Sequence, residues 1–566
     1  MVWEKIIETK MCKHCWTSFD ITDKDLEFYD KISPTFAWKK YSIPSPTICP
    51  DCRQQRRMAF RNERKLYHRT CDFSGKMIIS AYSSDKPYKI YDQKIRWSDQ
   101  RDPMQYGQDF DFSRPFFDQF QELMLKVPRQ NLANMNTENS EYCNITADCK
   151  NCYLSFGWIR NSEDVYHCKW MDYCEYCVDC SYCDQCKLCY QCLECKECFQ
   201  SKYLIDCKNC SSCSFCLSCQ ECKNCLGCAN LHMAECQILN KPATKEIIKE
   251  TLTKIATDRD FAEKFKKQYD ELLKTMPRKY AHITQCENCM GDYLDNCKNC
   301  SEAFQAMNCE ECKYMYLGNS ITCGYESTAQ KWWERSYEIF SGIFCSDSIS
   351  CSTVWYSNNV YYCDSCFNSS HLFGCIGLNN KHYCVFNKQY TQADYEVLMC
   401  RIVEHMIKSG EWCEFFPPEI APFAYNETIA IEEYPLPKEE VLRRWYSRID
   451  QEIPLTKVVA SIDANQLPYD ISQVSDDILN QAIICEISGK AFRVVKPELD
   501  FYRRYAIPLP HRHPDVRHME RMAFNNPRKL RNRKCSKCWA DIKTSYAPER
   551  PEIVYCEQCY NKEVYW

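Results

Sequence analysis

Residues 174–199 read CEYCVDCSYCDQCKLCYQCLECKECF, with a cysteine at every third position, and CKNCSSCSFCLSCQECKNCLGC (207–228) resumes the same register. A period of three suits no single regular element. On a strand, residues three apart face opposite sides. On an α-helix each step of three falls about 60° short of a full turn and spreads the thiols round the axis. A 3₁₀ helix would align them, but such helices do not run beyond a few residues. A succession of short strands and corners fits, with thiols pointing inward and each corner resetting the phase. Apolar and aromatic patches recur at intervals of roughly ten to fifteen residues, at Tyr153, Tyr166, Tyr190 and Tyr203, then at Tyr314, Tyr325, Tyr337, Trp355, Tyr362 and Phe373. That spacing predicts the stacked rungs of a β-solenoid.

Inside such a stack a reduced cysteine is a small, soft hydrophobe able to line a narrow interior. The competing chemistry is metal, because seventeen thiols in one register could supply about four tetrahedral sites, or iron–sulfur clusters. The bacterial ferredoxin signature places proline after its fourth cysteine, and the lone Cys-Pro here is Cys49-Pro50, outside the tract. A later tract thins its cysteines (Cys286, Cys289, Cys297, Cys300, Cys309, Cys312, Cys323) and substitutes Ser, Ala and Tyr. Such tolerance favours filling over ligation, while further metal within 168–228 stays open as the alternative.

The 566 residues carry 47 cysteines, a net charge of −5, 14% aromatics and 12 glycines. An odd cysteine count, a long chain and an N-terminus (MVWEKIIETKMC) without an apolar run argue against a secreted disulfide scaffold. Reduced thiols in the cytoplasm are therefore expected. No stretch approaches the ~18 apolar residues of a membrane span.

Two internal repeats organise the chain. CKHCWTSFDITDKDLEFY (12–29) with PTICPDCRQQRRMAFRNERKLYHRTCDFSGK (46–76) matches CEISGKAFRVVKPELDFY (485–502) with PHRHPDVRHMERMAFNNPRKLRNRKCSKC (510–538), one insertion lying around Ser33 to Pro44. Each terminal module holds two half-sites. In the first module Cys12, Cys15, Cys49 and Cys52 are complete, whereas Cys71 is followed by Ser74, Asp92 and Ile95. In the last the order reverses: Cys485, Ser488, His513 and Val516 are broken, and Cys535, Cys538, Cys556 and Cys559 are complete. Gly75 and Gly489 can keep the turn of a knuckle that has lost its second thiol. The second repeat pairs FQELMLKVPR (120–129) with YDELLKTMPR (269–278), each opening a cysteine-rich tract that contains CKNC.

Two CxxC knuckles supply the four soft ligands that zinc needs, with no open position for catalysis. Structural Zn²⁺ is expected at Cys12/Cys15/Cys49/Cys52 and at Cys535/Cys538/Cys556/Cys559; iron in a rubredoxin-like site is the minor alternative. The motif CxxC, an F-x-[FI] strand, an acid-rich turn, Phe-Tyr and CPxCR resembles the bacterial probable zinc-ribbon family over about the first 57 residues, and in degenerate form over 485–521. The resemblance implies zinc at Cys12, Cys15, Cys49 and Cys52 and no settled activity. The whole layout also resembles large cysteine-rich proteins of ultra-small bacteria.

Basic strips follow: RQQRRMAFRNERKLYHR (53–69) and RHMERMAFNNPRKLRNRK (517–534), each with seven Arg/Lys against one acid. Arginines beside a zinc knuckle can contact phosphates and bases, which nominates Arg53, Arg56, Arg57, Arg61, Arg521 and Arg528 for RNA, ribosome or DNA binding. The opposing reading pairs them with acids elsewhere, including Glu432, Glu433, Glu439 and Glu440. No phosphate loop or catalytic constellation is present, so an enzyme is not expected.

The expected fold is multidomain and mainly β: zinc-ribbon or treble-clef-like modules at both ends of a duplicated cysteine-rich β-solenoid with bracing helices. Its parts are a ribbon module (1–100), a connecting helix (101–128), tract 1 (129–242), a helix (243–277), tract 2 (278–390), a helix (391–412), an extended linker (413–482) and a ribbon module (483–566). A zinc-stabilised scaffold that binds nucleic acid or ribosome is the leading functional expectation. Metal handling or redox chemistry in the tracts, and a protein-binding solenoid with structural zinc only, are the alternatives.

Overall fold

A computed structural model describes residues 4–98, 100–184, 186, 212–300, 303–307, 313, 316–319, 321–322, 330–338, 342–450 and 460–565. The centre of the dense tract, including Cys189 to Cys210, and Cys309, Cys312 and Cys323 of the second lie outside these residues.

Within the tracts the chain pairs with itself in parallel at a twelve-residue offset. Glu163 lies opposite Glu175 and Tyr166 opposite Val178, Lys169 opposite Ser181, and Lys223 opposite Glu235. In tract 2 Ser346 faces Asn358, Asn358 faces Ser370, and Ser370 faces His382. Backbone bonds run between successive layers, as from Glu163 N to Cys174 O (3.0 Å) and from Asp179 N to Tyr166 O (3.0 Å).

The period of three has a local cause. The residue before most described tract cysteines is left-handed: Tyr173, Tyr176, Asp179 and Tyr182 have φ of 51°, 54°, 57° and 59°, and Tyr362, Ser365 and Tyr383 repeat the pattern in tract 2. One left-handed residue per triplet cancels strand alternation, so every third side chain points the same way. Cys174, Cys177 and Cys180 are 0% exposed and form one cluster with Cys143 to Cys186 and Cys213 to Cys228. Each non-glycine left-handed residue costs about 1–2 kcal/mol, which interlayer hydrogen bonds and the buried column must offset.

Serine and cysteine interchange within a column. Ser155 Oγ accepts from Cys168 N (3.2 Å), and Cys168 Sγ accepts from Cys180 N (3.2 Å) one layer on. Ser162 Oγ likewise accepts from Cys174 N at 3.1 Å. The thiols donate in turn to backbone carbonyls, as Cys168 Sγ does to Tyr166 O at 3.2 Å. A bulge at Gly157 interrupts the offset early in tract 1. Its φ is +89°, and a Cβ there would stand 2.6 Å from Glu63 Oε2.

The described helices are α1 (Asp23–Ile32), α2 (Pro50–Met58), α3 (Gln93–Arg96), α4 (Phe116–Lys126), α5 (Lys245–Thr257), α6 (Arg259–Thr275), α7 (Gln392–Ser409), α8 (Ala430–Glu433), α9 (Lys438–Arg443), α10 (Lys496–Arg504), α11 (Pro514–Met522) and α12 (Glu557–Val564). The helix expected over 243–277 is thus two, because Asp258 ends α5 and caps α6 through Phe261 N. Ile248 and Phe265 from this pair cover Leu226 at the end of tract 1. Phe116 and Phe120 of α4 meet Tyr362, Phe373 and Phe386 of tract 2 and Met399 and Ile402 of α7 in the largest apolar cluster. The described residues of the 413–482 segment, expected as extended surface chain, are instead packed in its first part: Phe415, Phe416 and Tyr425 are buried. Its aromatic residues close the core between the first module and tract 2.

Each module half is a hairpin followed by a helix: β1 (Ile6–Met11) with β2 (Ser18–Thr22) precedes α1 and α2, and Tyr67–Thr70 with Met77–Ser80 precedes α3. The insertion around 33–44 forms its own small hairpin, Thr35–Phe36 with Lys39–Lys40, against α7. The second half of each module adds a two-residue parallel pairing to the segment that opens a tract. Ile90–Tyr91 pairs with Arg129–Gln130, and Val554–Tyr555 pairs with Arg278–Lys279, the two copies of the same repeat.

The last module is joined to tract 1 and to the first module by ion pairs. Glu432 accepts from Lys169 Nζ at 2.7 Å and contacts His518 Nε2 at 3.1 Å, while Asp515 takes Arg64 and Lys65 at 2.9 Å each. Burial, then the Arg64 guanidinium, hold His518 down at about 3 from an ordinary 6.5. Burial alone would raise Glu432, but Lys169 and His518 outweigh it and keep the carboxyl well below its ordinary range. Both groups take up protons in the unfolded chain before they do in the folded one. Their contribution is therefore present at neutral pH and lost progressively as pH falls below about 6.5.

Two outcomes are expected. Cys168→Ser should change stability by no more than about 1 kcal/mol in denaturant unfolding, whereas Cys168→Asp should disrupt tract 1. Lowering the pH from about 7 to about 5 should increase proteolysis around 512–534, and His518→Gln, which copies Gln54 of the first module, should remove that dependence.

Candidate metal centres

Among the described residues, two groups gather three or more potential ligand atoms: Cys12, Cys15, Cys49 and Cys52, and Cys535, Cys538, Cys556 and Cys559, each with its sulfurs within 4.8 Å of one another. A tetrathiolate zinc with bonds of about 2.3 Å sets its sulfurs about 3.8 Å apart. Cys15 and Cys49 Sγ are 3.5 Å apart, and Cys538 and Cys556 Sγ are 3.7 Å apart. The donor sets fit a tetrahedral soft or borderline ion.

The local fold explains the spacing. The first two ligands sit on a knuckle at the hairpin turn, closed by a left-handed residue: Trp16 (φ 61°) and Trp539 (φ 63°) in the complete quartets, Gly75 (φ 70°) and Gly489 (φ 67°) in the broken ones. The third ligand position is the N-cap of a helix and the fourth lies three residues later. Cys49 caps α2 and Cys556 caps α12, neither making a side-chain cap bond, so both sulfurs are available for an ion. In the broken halves Asp92 caps α3 through Lys94 N and His513 caps α11 through Asp515 N. Where the ion is lost, a self-sufficient capping residue stands in its place.

The surviving thiols of the broken halves keep their supporting bonds. Cys71 Sγ accepts from Ser74 N (3.5 Å) and Asp92 N (3.3 Å), and Cys485 Sγ accepts from Ser488 N (3.3 Å). Burial alone would raise both thiols, but these donors outweigh it and lower them. In the complete quartets the Cys52 thiol lowers Cys49 to about 5 and is itself raised. Backbone N–H groups of Cys538 and Cys556 overcome burial to bring Cys535 to about 6. Two thiols sharing a proton at a helix N-terminus are poised to exchange it for a cation.

The arginine strips are placed differently from expectation. Arg53, Arg56, Arg57, Arg61 and Arg521 are all at most 5% exposed, and the Arg528 side chain is 8% exposed. Arg53 and Arg56 reach Glu338 (3.9 and 3.2 Å), and Arg56 also Glu414 (3.0 Å). Arg61 pairs with Glu63 at 2.6 Å, and Arg528 with Glu433 at 2.6 Å. Arg521 binds Asp179 at 2.9 Å, beside the Arg517–Asp179 pair. All six nominated arginines thus have interior guanidinium groups rather than surface ones, and those of Arg53, Arg56, Arg61, Arg521 and Arg528 face carboxylates, including the linker's Glu433. Asp179 and Glu338 are the anchors that sequence reading missed, since an isolated acid in a cysteine tract carries no signal of its own. Arg53 and Arg57 in the first module correspond to Arg517 and Arg521 in the last, and each strip closes on a tract acid.

No family model, curated protein or solved structure matches the chain.

The four-fold recurrence of the N-cap position gives a gain-of-site test. Ser74→Cys, Asp92→Cys and Ile95→Cys together should rebuild a third tetrathiolate centre, read as one additional zinc per chain by elemental analysis.

Proposed function

We propose that this chain is a metal-pinned binding scaffold: two structural tetrathiolate ions fix the terminal modules, and the tracts between them are windings of a duplicated β-solenoid whose thiols fill the interior. The observation that carries the reading is the contrast between the two quartets and the tract sulfurs. The quartets converge on one point with supporting N–H donors. Tract thiols such as Cys174, Cys177 and Cys180 instead point at backbone carbonyls, in columns where serine also stands.

Zinc is the ion the donors suit, as a closed four-sulfur shell leaves no position for substrate. The twelve-residue offset supports the solenoid reading, and the matching pairings of Ile90 with Arg129 and Val554 with Arg278 support its duplication. With the arginine strips committed inside the fold, nucleic acid loses the contacts that recommended it. A protein partner on the outer faces of the windings is the reading that remains.

Native mass spectrometry of the purified chain should give near two zinc ions. Chelation should expose 4–60 and 531–565 to protease before the tracts. Six or more metals per chain, or a brown iron–sulfur chromophore, would instead place metal handling in the tracts.

A further inference from the structure

Of the four equivalent module hairpins, the first has an uncovered edge. In the last module Ala482–Ile484 is paired on its far side by Ser461–Asp463. Tyr67–Thr70 is half-buried along its length. Arg531–Lys534 places Arg531, Arg533 and Lys534 on one strand, where a second copy would be repelled. Among the described residues, β1 pairs with β2 alone, and Ile6, Ile7 and Met11 are 56%, 49% and 58% exposed.

The hairpin register says which backbone groups are on offer. Cys12 N donates to Thr17 O, so opposed pairs two residues apart (Lys10 with Phe19, Glu8 with Ile21) are the hydrogen-bonded ones. Thr9 and Met11 consequently turn their N–H and C=O groups outward. A bulge between Ile6 and Glu8 leaves Ile7 opposite no β2 residue and bounds the usable edge at Ile7.

The exposed strand is complementary to itself when reversed. With a two-fold axis at Thr9, Thr9 pairs with its own copy, Ile7 faces Met11, and Glu8 faces Lys10. A lysine on a sheet edge ordinarily blocks pairing, but here its counter-charge sits two residues away, and the two already attract within one chain (Lys10 Nζ to Glu8 Oε2, 3.5 Å). We infer that β1 is a homodimerisation edge: two copies join antiparallel through Ile7 to Met11, making one four-stranded sheet across the pair of first metal modules. Lys10 Nζ keeps its bond to Ser45 Oγ, and the occupant is a second copy of this chain.

The interface is short, so association should be concentration-dependent rather than permanent. Sedimentation equilibrium of the metal-loaded full chain under reductant, over a wide concentration range, tests it. Wild type should show a monomer–dimer equilibrium. Lys10→Glu, and independently Glu8→Lys, place like charges opposite each other twice and should raise the dissociation constant about tenfold. The double exchange Glu8→Lys/Lys10→Glu restores both pairs and should return it to within about threefold of wild type. A wild-type chain that stays monomeric, single reversals that dimerise unchanged, or a double exchange that remains as weak as the singles would overturn the inference. Zinc content checks that each variant retains its first module.

Discussion

The structure depends on one backbone constraint: a recurring left-handed residue directly before the interior side chains in the described layers of the tracts. That placement returns the chain to the same face every three residues, and the parallel layers twelve residues apart then stack those side chains in columns. The interior so formed is narrow. Cysteine and serine satisfy it because each is small and can both accept an N–H from the next layer and donate to a carbonyl. Aliphatic side chains share these columns, as Leu372 does between Val360 and Cys384 and Val165 does opposite Cys177. The large aromatic residues are found where tracts meet helices, as at Phe373 and Phe386 against Phe116.

The terminal modules answer a different need, closing and joining the tracts. Each module sends a basic helix to a buried tract acid, α2 to Glu338 and α11 to Asp179, and its second hairpin to the opening of a tract. A buried pair of this kind contributes little net stability relative to well-packed apolar residues, but breaking one partner is costly, about 3–5 kcal/mol. Such contacts fix where elements sit. The complete cysteine quartets lie in one half of each module, and the other half holds its turn with Ser-Gly and its helix with Asp92 or His513.

Much of this was legible in the residues. The two quartets follow from CxxC spacing, and the inward thiols from the failure of any regular element to fit a period of three. The surviving turns of the broken halves follow from Gly75 and Gly489. What was not legible has physical causes. Left-handed conformations at Tyr173, Tyr176 and Tyr182 run against the intrinsic preference of aromatic residues and are imposed by the stack. The burial of Arg53 to Arg61 depends on Glu338 and Glu63, and the former lies far along the chain, so a locally basic strip looks like surface. The 413–482 segment reads as linker because its prolines stop long helices, yet its aromatics supply core.

On this reading the sulfur of the tracts is protonated interior filling and metal is confined to the two end quartets. Raman spectroscopy of the native chain reads thiol hydrogens directly. A strong S–H band, shifted as for thiols bonded to carbonyls, is expected to lose little intensity on metal loading of the end modules. A band that is weak or vanishes in the metal-loaded protein would contradict it, because the tract sulfurs would then be ligands or disulfides.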